Sequence, residues 1–240
     1  MPSAESPFLT ARWVDLVMVN YEVDPALLRA LVPAGTELDL WYGRCLVSIV
    51  GFQFLETRVL GLALPFHRHF EEVNLRFYVR RTVGDEVRRG VVFVKEIVPR
   101  RAIAWIANAV YNEKYIALPM SHDATIGDRR RLSYGWRYRG AWCRLAATLQ
   151  GASSLPADDS EEAFISEHYW GYTTQRDGST LEYKVEHPRW SVWTGSDPEL
   201  ICDTAALYGP GFRSCLSGPP SSCFVADGSA VIVRRGVPVR

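Results

Sequence analysis

Lysine is almost missing from this chain: among 240 residues only Lys95, Lys114 and Lys184 carry an ammonium, and arginine supplies the rest of the 27 basic side chains. Amine chemistry is therefore confined to three positions. Excess charge of either sign is also missing, with 27 basic against 27 acidic residues, so long-range attraction to nucleic acid or an anionic membrane is excluded as a binding principle. No apolar run approaches the ~18 residues that a membrane-spanning helix needs. The opening stretch MPSAESPFLTARW has no basic segment leading into an apolar one, so no signal peptide is expected and the cytoplasm is the expected compartment. Cys45, Cys143, Cys202, Cys215 and Cys223 form no Cys-x-x-Cys pair, and their irregular spacing reads as free thiols in a reducing environment. Nucleophile-elbow, Walker and dinucleotide glycine signatures are absent, so no familiar cofactor or acyl-transfer machinery is implied.

What is present is a large apolar and aromatic complement, with eight Trp, eleven Tyr and ten Phe, enough for a substantial core in one domain spanning 1–240. A helix is expected over 23–33, capped by Asp24, started by Pro25 and ended by Pro33, with Leu27, Leu28 and Leu31 as its apolar stripe. A second helix fits 100–112, with Ile103, Ile106, Ala107 and Val110 on one face. A short third helix through Ser166 follows a capping box of Asp159 and Glu162. Strands fit 37–58 with a break at Gly43, 69–81, 89–99, 131–140 and 141–150. A hairpin across Asp177-Gly178 lies within 169–193, and a closing strand fits 229–235. The stretches 151–160 and 208–228 read as loops. Many strands with a few short helices predict a mainly β (α+β) protein, either an antiparallel barrel or two packed sheets.

Parity along EEVNLRFYV is the most informative local pattern. Glu72, Asn74, Arg76 and Tyr78 share one side of the strand, and Val73, Leu75, Phe77 and Val79 the other. The polar row is either a solvated face or a carboxylate, an amide, a guanidinium and a phenol converging on a ligand. His67, His69 and Glu71 alternate in a way that suits a metal, but no second ligand cluster accompanies them, so they read as surface residues and no metal is expected. His187, in EHPRW, is a candidate general acid or base.

The segment EVDPALLRALVPAGTELD resembles the first helix and following strand of acetoacetate decarboxylase-like proteins. Within that superfamily the closer resemblance is to the YqjF-like bacterial family of unassigned function, domain of unknown function 2071. It is carried by Glu72, Asn74, Arg76, Tyr78 and Val79; by Glu113 and Tyr115; by Glu167, His168 and Tyr169; and by His187 with Trp190. The resemblance covers about 7–195 and returns at 229–235. It implies a closed or nearly closed antiparallel β-barrel with an interior pocket and, by analogy, a homo-oligomer. It also implies a pocket in which Arg76, Asn74, Tyr78 and Tyr115 bind a small molecule and Glu113, Glu72 and His187 do chemistry. In true acetoacetate decarboxylases the Glu is followed, after a few residues, by Pro-Lys-Lys, one lysine of which forms the Schiff base while the adjacent ammonium and apolar surroundings lower its pKa. Here Pro119 is followed by Met120 and Ser121. Three functions follow as expectations. The first is a lyase or isomerase using acid–base chemistry on a small carboxylate or carbonyl metabolite, the second a non-catalytic ligand-binding protein or sensor, and the third a Schiff-base lyase using Lys114 or Lys95.

Overall fold

The structure, a computed structural model, describes residues 7–63, 67–102, 104, 105, 108, 112, 114–125 and 130–239. Its strands are β1 Pro7–Glu22, β2 Glu37–Leu38, β3 Leu46–Val59, β4 Phe70–Val83, β5 Glu86–Val98, β6 Tyr115–Ala117, β7 Met120–Thr125, β8 Arg131–Tyr138, β9 Ala141–Ser154, β10 Trp170–Thr174, β11 Thr180–Glu186, β12 Val192–Ile201, β13 Ser222–Arg234 and β14 Val237–Pro238. The pairing runs β14-β11-β10-β5-β4-β3-β1-β13-β12-β9-β8-β7, and an added β11–β13 pairing closes the strands from β13 through β1, β3, β4, β5, β10 and β11 into a ring. Every pairing in that ring is antiparallel except β5 with β10, where Trp170 and Gly171 run parallel to Gly90 and Val91. Strands β12, β9, β8 and β7 extend from the ring as an arm.

Two apolar layers result. Outward residues of the ring, among them Val17, Ile49, Leu75, Phe77 and Val94, pack with Leu132, Tyr134, Trp136 and Leu145 of the arm. Inward residues, among them Leu16, Val50, Phe52, Phe54 and Phe70, form a second cluster inside the ring. Gly51 permits close approach of the ring and the arm, since a Cβ there would meet the Tyr134 ring at 2.6 Å.

Three irregularities decide which side chains reach the interior. Asp15 (φ 56°) and Glu56 (φ 56°) sit where the β1–β3 register slips, so Trp13 and Leu16, and likewise Phe54 and Thr57, share the inner side. A slip in the β4–β5 register between Leu75 and Arg76 does the same for Phe93 and Glu96. Such bulges re-aim side chains that strict alternation would send outward.

Local elements differ from the sequence reading in definable ways. The first helix is a single turn, α1 Pro25–Leu28, continued as a 3-10 turn over Arg29–Leu31, because Val32 is already extended ahead of Pro33. Asp24 caps it as expected, accepting the Ala26 N–H at 2.8 Å. Ser160, not Asp159, caps α2 Glu161–Ser166 through the Ala163 N–H at 3.1 Å. Strand β9 continues to Ser154, into the expected loop 151–160. The expected loop 208–228 encloses a helical turn, α4 Phe212–Leu216, after α3 Thr204–Tyr208, and β13 starts within it at Ser222. Proline and glycine flank that turn on both sides, while Phe212 and Leu216 anchor it in the outer core. The expected apolar face of the 100–112 helix lies outside the described residues. No helix among the described residues is long and apolar enough to cross a membrane.

Candidate functional site

The ring encloses a cavity of about 150 Å³ to which all its strands contribute. An engineered cavity of that volume holds a molecule the size of benzene. Much of the wall is aromatic. Trp13 packs edge-on against Phe52 (5.3 Å), Phe54 (5.7 Å) and Trp190 (6.2 Å), and Phe54 stacks on Phe70 at 4.6 Å.

Set into this wall is a group of ionisable and amide side chains. Glu72, only 2% exposed, accepts hydrogen bonds from Asn74 Nδ2 (2.9 Å) and the Tyr115 hydroxyl (3.1 Å). Asn108 clamps the Tyr115 backbone from both sides, donating to its carbonyl and accepting its N–H at 2.9 Å each. Burial pushes the Glu72 carboxyl up to about 7, against the opposing pull of those two bonds and of the Arg76 charge. Desolvation outweighs them, so the carboxyl is held well above the ordinary carboxylate range. Glu96, 1% exposed, stands across from Asn74 on the neighbouring strand.

Arg76 enters from β4 and donates through Nη2 to the Ile165 carbonyl at 3.2 Å, while its Nε has no partner within the protein. Trp13 Nε1, Thr57 Oγ1, Asn74 Oδ1 and His168 Nδ1 are likewise buried without partners, and all five residues line this cavity. Buried polar atoms are almost always satisfied, so unpartnered ones gathered around a void point to a ligand or water as the missing partner.

The residues singled out from the sequence divide as follows. Glu72, Asn74, Arg76, Tyr115 and His187 line the one cavity. Tyr78 shares their side of β4 but stands behind the wall, bonded to Ser48 Oγ at 2.5 Å. Glu113 lies outside the described residues. His187 stacks on Trp190 (centroids 4.1 Å apart) and bonds the Pro188 carbonyl through Nδ1 at 2.9 Å; burial lowers its pKa. His67 reaches the cavity, whereas Glu71 turns to His122 at 2.7 Å, so the alternating His67, His69 and Glu71 do not converge. Among the described residues no three His, Cys, Asp or Glu are grouped to hold a metal.

None of the three lysines lines the cavity. Burial, and then the charge of Lys114, push Lys95 down, which is the electrostatic setting of an activated amine, but in the wrong place. Lys114 is exposed, and Lys184 faces Glu186 at 3.8 Å.

Two cavity residues escaped the sequence reading. Glu96 is hidden by the β5 bulge, which breaks the parity count. His168 stood within a recognised motif without a role; its ring lies 4.7 Å from Tyr78 and edge-on to Phe164 at 5.1 Å. A histidine flanked by Glu167 and Tyr169 was the available signal.

The model of the DUF2071 family, an uncharacterized conserved protein, matches residues 10–230. The uncharacterized protein YqjF of Bacillus subtilis (strain 168) is 27% identical over 183 residues, covering 73% of this chain and 72% of that protein. Acetoacetate decarboxylase from Legionella pneumophila superposes with a TM-score of 0.70 at 13% identity, covering 98% of this chain and 87% of that one. The enduracididine biosynthesis enzyme MppR complexed with pyruvate superposes with a TM-score of 0.66 at 16% identity, covering 99% and 94%. These superpositions identify the acetoacetate decarboxylase-like fold.

Proposed function

Since the chain belongs to the DUF2071 family, we propose that its ring cavity binds a small carboxylate or carbonyl compound and moves a proton on it through Glu72, in a lyase or isomerase reaction. The observation that carries this reading is the Glu72 carboxyl, buried beside Arg76 and raised to about 7, in a cavity of about 150 Å³. A carboxyl that exchanges its proton near neutral pH is matched to acid–base work. Arg76 supplies a guanidinium whose unpartnered Nε can take a ligand oxygen. The neighbour MppR in complex with pyruvate supports a ligand of this size and class. Imine chemistry is not proposed, because no lysine lines the cavity. Five free thiols suit a reducing compartment such as the cytoplasm.

Trp13 and Trp190 in the wall make the test optical. Titration with pyruvate, 2-oxobutyrate and acetoacetate is expected to change tryptophan fluorescence saturably, and Arg76→Leu is expected to weaken binding on the order of 100-fold. A flat response to the whole panel would overturn the ligand class. Saturable binding with no chemical change in any ligand would leave a binding protein or sensor.

A further inference from the structure

A histidine outside that assignment is held as if for use. His168 follows α2, lines the cavity, and is almost wholly buried. Its Nε2 meets Asp39 Oδ2 at 3.2 Å, and the same oxygen takes a hydrogen bond from Arg89 Nε at 2.7 Å. Burial alone would raise the Asp39 carboxyl, but the bonds from His168 and Arg89 outweigh it and hold Asp39 below its ordinary range. An ionised carboxylate only accepts, so the imidazole proton sits on Nε2. That leaves a lone pair on Nδ1, the atom that has no partner in the protein.

Arg76 links this imidazole to the Glu72 carboxyl, since its charge acts on both. Each group also has a standing counter-charge for its reacted form, Asp39 for an imidazolium and Arg76 for a carboxylate. We propose that His168 and Glu72 work as a pair in inverted order, the imidazole Nδ1 as proton acceptor and the carboxyl as proton donor, on a ligand with a carbonyl next to an acidic C–H. Asp39 is the positioning residue that fixes the tautomer. The proposal rests on the cavity-ligand reading above and narrows it to enolisable oxo acids.

The step balances without a co-reactant. Nδ1 takes the α-proton, and the C–H electron pair becomes the C=C bond. The carbonyl π pair takes the Glu72 proton, leaving an enol, an imidazolium and a carboxylate. Return of the proton to the same carbon gives exchange with solvent, and return to another gives isomerisation. The inversion has a physical cause: burial pushes His168 down to about 4 and Glu72 up to about 7, so between those values the imidazole is the neutral base and the carboxyl the neutral acid. The groups that set this window are Asp39, Arg89 and Arg76 around His168, and Asn74, Tyr115 and Arg76 around Glu72.

Two measurements test it on the intact protein. With ¹⁵N-labelled histidine, NMR at pH 6 is expected to show His168 neutral and protonated on Nε2, and Asp39→Asn is expected to shift it towards the other tautomer. A wild-type Nδ1–H overturns the assignment. In D₂O, the methyl protons of pyruvate and the methylene protons of 2-oxobutyrate are expected to wash out faster with the protein than without it. His168→Gln keeps a donor for Asp39 but removes the base, and is expected to slow the exchange by about 10²–10⁴-fold while fluorescence-detected binding survives. Binding without catalysed exchange removes the acid–base pair and spares the binding site. Absence of binding removes both.

Discussion

Strand β4 presents two faces that are both largely buried and chemically opposite. Outward, Val73, Leu75, Phe77 and Val79 are each 0% exposed and pack into the core beneath the arm. Inward, Glu72 and Asn74 are 2% exposed, yet they and Arg76 surround a void instead of filling one. A solvated polar face would satisfy its groups with bulk water. Here burial leaves polar atoms without a partner in the protein and pushes a carboxyl up to about 7, a cost that a bound ligand or water would relieve. Both layers contain packed apolar residues, but only the inner one sets ionisable and amide groups around a void.

The sharpest way to break this contrast is one residue long. Leu75→Ala, on the packed face, is expected to cost about 2–5 kcal/mol in urea denaturation and to leave ligand affinity unchanged in the protein that remains folded. Arg76→Leu, the next residue, is expected to weaken ligand binding on the order of 100-fold while costing only about 1–2 kcal/mol. Equal stability losses at both positions would erase the distinction between the faces.

A pH experiment isolates the carboxyl. The folded pKa of Glu72 lies above its unfolded value, so its contribution is fully present below pH 4.5 and is lost as pH rises through about 7. Glu72→Gln removes that dependence. Relative to wild type, the variant is therefore expected to gain up to about 3 kcal/mol between pH 4.5 and pH 8 in chemical denaturation. A difference independent of pH would mean that Glu72 titrates normally. His168 has the opposite sign: its folded pKa is depressed to about 4, so the stability it contributes is complete above pH 6.5 and falls as the solution is acidified towards pH 4. In His168→Gln that acid-side loss is expected to shrink, by a comparable amount, and thermal melts at pH 4.5 and pH 7.5 would read it.

The smallest expected effect belongs to the lysines. Lys95→Met and Lys114→Met are expected to leave oxo-acid binding within about twofold, since neither residue lines the cavity. Borohydride reduction in the presence of pyruvate or acetoacetate is expected to yield no adduct by intact mass. An adduct mapping to Lys95 would restore imine chemistry and move the functional centre outside the ring.

Much of the site was legible because its residues sit on regular strand. Alternation through Glu72, Asn74 and Arg76 put them on one side without any knowledge of the ring. Legibility failed where the backbone departs from period two. The bulge in β5 gives Phe93 and Glu96 the same face, so counting by twos could not place Glu96 or Lys95. Strand β1 went unassigned because Leu16 to Tyr21 is buried on both faces and shows no alternation to detect. His168 depends on Asp39, 129 residues earlier, a pairing that follows from β2 lying beside β4 and β10 beside β5.

The protonation state of Glu72 is the hinge of the whole account. Carboxyl ¹³C NMR on glutamate-labelled protein, with Glu72→Gln to assign the signal, measures it directly. A titration midpoint near 7 is what burial predicts, against the opposing pull of Asn74, Tyr115 and the Arg76 charge. A midpoint in the ordinary range near 4.5 would contradict the account, because Glu72 would then be a fixed anion at neutral pH with no proton to give.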